Sequence, residues 1–98
     1  MALSDFDKKV LNDVIDSVIN DIGSVVEFAR IPEFKGMLKD KDATDFSLGL
    51  VIAEIHTAFL AGFKQRYHKV VTKDERDELF RILGMRIGEI HEAIFKCG

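Results

Sequence analysis

Leu11, Ile15, Val18, Ile22, Val25 and Ala29 recur alternately four and three positions apart. That repeat marks a helix face held against other helices, and it constrains this chain more than any other feature. Val10, Val14, Ile19 and Val26 flank the line. At about 100° per residue they widen the apolar stripe to roughly half the helix circumference. Such a helix needs cover from two sides, and its many β-branched residues mean that packing, not propensity, must hold it. Ser4, followed three residues on by Asp7, predicts where it starts. The hydroxyl can accept from a first-turn amide, and the carboxylate suits the positive end of the dipole.

Two more helical periods follow. Pro32 disfavours the α conformation at Ile31 and Gly36 interrupts again, which predicts a connector with a short helical turn over 32–38. Leu48, Ile52, Ile55, Phe59 and Phe63 line one face of a second helix, with Asp42 or Thr44 to cap it. Thr72 and Glu75 form a capping box, and Leu79, Leu83, Ile87, Ile90 and Ile94 face inward on the helix that follows. Only a few residues join the last two helices, so they fold back antiparallel. The expected fold is all-α, an up-down bundle of three long helices (about 4–30, 44–69 and 73–96) in a single domain, 1–98. A second line on the last helix (Phe80, Gly84, His91 and Phe95) lies roughly 60–90° from the first. A single copy leaves it wet, so the bundle is expected to be completed by homodimerisation.

The chain has 98 residues, 47% of them hydrophobic and 32% charged, the latter above the usual 25% or so, as in a folded helix-rich protein. Its formal net charge of -3 supplies no general positive field for nucleic acid, which is not an expected partner. Cys97 stands alone and cannot form an internal disulfide, and the first nine residues are interrupted by Ser4, two Asp and two Lys, unlike the apolar run of a signal peptide. The expected location is cytoplasmic. An unbroken apolar run such as 48–53, which none exceeds in length, falls far short of the ~20 residues of a membrane span, so no membrane association is expected.

One skeleton, L-G-x-x-I-x-E-I-H-x-A, occurs twice, in LGLVIAEIHTAF (48–59) and LGMRIGEIHEAIF (83–95). On an antiparallel hairpin the first reading is packing, with His56 set opposite Gly84 and His91 opposite Gly49. Gly49 with Ala53, and Gly84 with Gly88, are small residues four apart that let helices approach closely. The expected crossing and interface set is therefore Gly49, Ala53, His56, Phe80, Gly84, Gly88, His91 and Phe95. The second reading is a metal site from Glu54, His56, Glu89, His91 and Glu92, residue types that carboxylate-bridged metals use. Spacing argues against it within one chain. Bundle metal sites use Glu-x-x-His, whereas Glu54 and His56, like Glu89 and His91, are two apart and point about 160° away from each other. No metal or other cofactor is expected unless a dimer interface brings symmetry mates together.

GEIHEAI, 88–94, resembles the G-E-x-x-E-A-I stretch of the MazG-like nucleotide pyrophosphohydrolases, all-helical enzymes in which such acidic pairs hold magnesium. The resemblance covers seven residues, and the second acidic pair of that family has no counterpart in Glu54 with Thr57. It implies, as an alternative function, a metal- or nucleotide-binding bundle of pyrophosphohydrolase type. R-I-G-E-I-H, 86–91, has the Arg-x4-His spacing of HEPN ribonucleases. A further alternative is a small nucleic-acid-associated regulator, because Lys64, Arg66, His68, Lys69 and Lys73 surround Tyr67 and could contact phosphates or a base. The same cations suit a helix C-terminus, where free carbonyls carry partial negative charge. There is no glycine-rich phosphate loop, Cys-x-x-Cys, serine elbow or His-Glu-x-x-His. The main expectation is a homodimeric interaction or regulatory module without catalytic activity, able to take a protein partner.

Overall fold

Ser4 starts the first helix as its sequence suggests: its backbone is extended and its hydroxyl accepts from the Asp7 amide at 3.1 Å. The computed structural model describes residues 3–39 and 43–97. Among these, every regular element is a helix: α1 (Asp5–Asn20), α2 (Ile22–Ala29), α3 (Pro32–Lys35), α4 (Thr44–Tyr67), α5 (Lys73–Met85) and α6 (Ile87–Lys96). The helices expected over 4–30 and 73–96 are thus each divided, at Asp21 and at Arg86.

Both breaks have local causes. Asp21 leaves helical geometry at φ -109° and ψ 23°, and the Ser24 hydroxyl bonds its carboxylate at 3.0 Å. A short polar side chain that competes for local bonds, beside the Gly23–Ser24 pair, is a common cause of helix interruption. Arg86 takes φ -104° and ψ 5° between Gly84 and Gly88, and its amide turns to the Leu83 carbonyl at 3.1 Å. Two glycines near the joint lower the cost of abandoning the helix there. Pro32 occupies the first turn of α3 with Ile31 extended before it, as proline requires. Phe34 holds this connector in place, meeting Phe28 and Phe46 edge-on with ring centroids 5.3 Å apart in each pair.

The start of α4 differs from expectation. Ala43, at φ 60°, is the residue before the helix and offers no side-chain cap, while Thr44 lies inside it. Asp42 lies outside the described residues. At the other end His68 adopts φ 57° and donates its amide to the Lys64 carbonyl at 2.8 Å. The capping box of α5 forms as predicted, with Glu75 N to Thr72 Oγ1 at 3.2 Å and Thr72 N to Glu75 Oε1 at 2.7 Å.

The core is built on α4. Val51, Ile55, Phe59 and Phe63 are fully buried against Leu11, Ile15 and Val26 on one side and Leu79, Ile90 and Ile94 on the other. The predicted face is one residue out of phase at its edges: Val26 is buried where Val25 was expected, Val51 where Ile52 was expected, and Leu48, Ile52 and Ile87 are only half-buried. α4 packs on α1, α2 and α6, and α2 also meets α6. The molecule is elongated, 43 × 22 × 19 Å, with a radius of gyration of 14.6 Å, against about 13 Å for a compact chain of this length.

Candidate interaction face

Beside its core residues, on the flank toward α5, α4 carries half-buried Ile52, His56 and Leu60 and exposed Gly49 and Ala53. On α5 and α6 the equivalent line is Phe80, Gly84, His91 and Phe95, all exposed. One contact joins the two lines: the His56 and Phe80 rings stack with centroids 5.7 Å apart and planes tilted by 36°. His56 and Phe80 each follow a core residue (Ile55 and Leu79) by one position, so the two lines bound a single continuous surface. Phe80 is 49% and Phe95 70% exposed.

The expected notches are not formed within the chain. His56 meets Phe80, one turn short of Gly84, and His91 is exposed. Among the described residues, nothing outside the local helix backbone comes within 4 Å of a Cβ placed on Gly49, Gly84 or Gly88. The physical reason is the break at Arg86, which lets α5 and α6 follow different lines along α4, so that α6 packs on it while α5 stands off. Every small residue of the expected crossing set therefore faces outward.

α4 is apolar along most of its length, and apart from Tyr67 its large hydrophobic side chains are buried or half-buried. By length and composition its 24 residues could cross a membrane, and 28% of its most apolar 18-residue stretch is buried. Counting unbroken apolar runs overlooked this, because Glu54 and His56 interrupt the run without making the helix polar. Val51, Ile55, Phe59 and Phe63 are nonetheless core residues of this fold.

Where α4 and α5 stand apart, a groove of about 890 Å³ opens toward the connecting turn. Leu60, Val70, Val71 and Phe80 make its walls mostly apolar, and Lys64 and Arg76 are its cations.

The proposed ligating residues do not converge. Among the described residues, no three His, Cys, Asp or Glu side chains come together as a metal site. Glu54 lies toward α1 and α2, His56 toward α5, Glu92 pairs with Lys96 at 3.0 Å, and Glu89 with Arg86. The arginine of the Arg-x4-His spacing is equally committed. Arg86 binds the Asn12 carbonyl at 3.2 Å, Asp16 at 2.6 Å and Glu89, bracing the α5–α6 joint against α1. Burial works to lower its pKa, but the bonds and charges of Asp16 and Glu89 outweigh it and raise the pKa above the ordinary arginine value.

The basic patch is also divided. Arg66 turns inward to Asp7 at 3.0 Å, and its guanidinium lies 5.6 Å from the ring centres of both Phe6 and Tyr67. Lys73 pairs with Asp77 at 2.9 Å. Lys64, His68 and Lys69 remain exposed. Arg66 is thus drawn out of the patch by a buried carboxylate, while Lys73 stays at the surface beside Asp77.

Sequence reasoning missed the polar cluster on Asp7. This buried carboxylate accepts from the Ser4 hydroxyl at 2.9 Å, from Arg66 and from the Tyr67 hydroxyl at 3.0 Å. Ser4 and Asp7 were legible as a cap, but nothing local announces a partner 59 residues away. Glu78 was missed as well. Its carboxylate accepts the Leu3 amide at 2.8 Å and pairs with Arg81 at 3.0 Å and Lys8 at 3.6 Å. The Leu3 bond holds its pKa below the ordinary 4.5, against the effect of burial and with help from Arg81 and Lys8.

No family model, curated protein or solved structure matches this chain. The reading of its function therefore rests on its own surface and packing.

Proposed function

We propose that the chain is a small helical interaction or regulatory module without catalytic activity, and that a second copy covers the open face of α4, α5 and α6. In this reading α1–α2, α4 and α5–α6 act as three rods running up, down and up. The links from Asp7 to Arg66 and Tyr67, and from α5–α6 back to α1 through Glu78 and Arg86, support those directions.

The observation that carries the proposal is the line of exposed aromatic and small residues, Phe80, Gly84 and Phe95 on α5–α6 beside Gly49 and Ala53 on α4. Phe28 and Phe6, the other half-exposed phenylalanines, already have partners in Phe34 and Arg66. Phe95 makes no ring contact among the described residues and is the most exposed of the four. A contiguous apolar surface of this kind marks an interaction site, and an isologous twofold pairing is the commonest way for a chain to cover it with itself. A stable interface takes about 800 Å² from each partner, so the pairing would cover most of one 43 × 22 Å side of the molecule. Gly49, Ala53, Gly84 and Gly88 would let the paired helices approach closely.

Sedimentation velocity over a concentration series tests this. The proposal predicts a species of twice the chain mass at micromolar concentration, shifted toward monomer by Phe95→Asp with the helical content intact. A monomer that persists to about 1 mM, where association contributes only about 4 kcal/mol, would refute it.

A further inference from the structure

The groove at the turn end of the α4–α5 hairpin differs chemically from the rest of the open face. Its walls are apolar, but Lys64 and Arg76 line it, and neither has a carboxylate partner among the described residues. The other basic residues on these helices contrast with them. Arg66, Lys73, Arg81, Arg86 and Lys96 each pair with a carboxylate within 4 Å, at Asp7, Asp77, Glu78, Asp16 and Glu92. The acids nearest Arg76 are engaged elsewhere: Glu75 closes the capping box and Asp77 binds Lys73. Asp74 and Glu75 offset the positive end of the α5 dipole, so the charge left over in the groove is that of the two unpaired side chains themselves. An anion placed between Lys64 and Arg76 would meet both.

We propose that this groove binds an amphipathic carboxylate, with its head between Lys64 and Arg76 and an unbranched acyl chain running past Leu60 toward His56 and Phe80. On the side of Lys64 away from the turn the lining carries no further Lys, Arg, Asp or Glu. From Lys64 to His56 the groove follows eight residues of helix, about 12 Å at 1.5 Å per residue. That length matches a chain of about nine or ten carbons, and the groove's 890 Å³ falls within the ~300–1,000 Å³ typical of small-molecule sites. Bundles commonly place such sites between helices. The groove shares Leu60, His56 and Phe80 with the proposed pairing face, but its cations lie at least two helical turns from Gly49, Ala53, Gly84 and Gly88 and do not depend on self-association.

Decanoate, kept below its micelle-forming concentration, is the probe, with decanol and decyltrimethylammonium as neutral and cationic controls. The full chain is titrated with each while backbone amide shifts are followed by two-dimensional NMR. The proposal predicts saturable shifts centred on Leu60, Val71, Arg76 and Phe80, and decanoate affinity at least about tenfold above that of either control. The variant carrying Lys64→Glu and Arg76→Glu changes two side chains on exposed positions and should keep the native spectrum while reversing the preference toward the alkylammonium. Equal affinity for decanoate and decanol, shifts centred elsewhere, or an unchanged preference in the variant would overturn the proposal. Sedimentation of the same samples reports self-association separately, so a chain that dimerises and ignores decanoate overturns this inference alone.

Discussion

Replacing Asp7 by alanine should cost the fold about 3 kcal/mol, a large fraction of the roughly 5–15 kcal/mol expected of a chain this size. The side chain is only 5% exposed and accepts bonds from Ser4, Arg66 and Tyr67, linking the start of α1 to the end of α4. Hydrogen bonds to a charged group contribute about 1.5–3 kcal/mol each, but those three losses do not simply add. Ser4 is exposed and can turn to water, and Arg66, at 26% exposure, recovers part of its hydration once freed. What remains is a guanidinium held against Phe6 and Tyr67 without its counter-charge, which places the loss at the low end of the range for breaking a buried pair, about 3–5 kcal/mol. Asp7→Asn keeps the volume and one acceptor and should lose about 2 kcal/mol. A double-mutant cycle with Arg66→Ala should return a coupling of about 1–2 kcal/mol. Urea unfolding followed by far-ultraviolet circular dichroism measures each value, at one fixed protein concentration because association would add to the apparent stability. A loss under about 1 kcal/mol for Asp7→Ala, or no coupling to Arg66, would show that the cluster is solvated and does not tie the helices.

Two further substitutions test backbone and charge. His68 is an exposed residue at φ 57°. A left-handed conformation costs an L-residue about 1–2 kcal/mol, partly offset by the extra entropy a glycine loses on folding, so His68→Gly should raise stability by about 0.5–1 kcal/mol in the same urea assay. Ala43→Gly, at φ 60°, should gain less, because the Ala43 methyl group is fully buried and its removal loses about 0.8 kcal/mol of apolar contact. Equal gains at both sites would contradict this account. Glu78 governs an acid-side effect. Its folded pKa lies below 4.5, so its stabilisation is complete above that pH and declines as the pH falls through the folded value. Between neutral pH and about 3.5 the native protein should therefore lose more stability than Glu78→Gln does; parallel unfolding midpoints across that range would count against the Leu3–Glu78 link.

Periodicity carried most of the fold, because Leu11, Ile15, Phe59, Leu79 and Ile94 are buried where their spacing puts them, and the caps at Ser4 and Thr72 depend only on residues three positions on. The breaks at Asp21 and Arg86 were harder to read, since the apolar spacing continues across both and only the nearby glycines hint at them. Missing the second break also misplaced the His–Gly notches, which require a straight helix alongside α4. The exposed line of Phe80, Gly84, His91 and Phe95 was nevertheless legible as a surplus apolar stripe. Long-range polar pairs were not, because Asp7–Arg66 and Asp16–Arg86 join residues whose local sequence would be equally content at a solvated surface. The groove cations became distinct only when Arg66 and Lys73 were found to be neutralised and Lys64 and Arg76 were not.

The most direct test of the proposed pairing is an isotope-filtered nuclear Overhauser experiment on an equimolar mixture of labelled and unlabelled chains, which detects only contacts between copies. The account predicts intermolecular signals from the Phe80 and Phe95 rings to the Ala53 and Ile52 methyl groups. No intermolecular signal from these rings, or signals confined to Phe6 and Phe28, would contradict it.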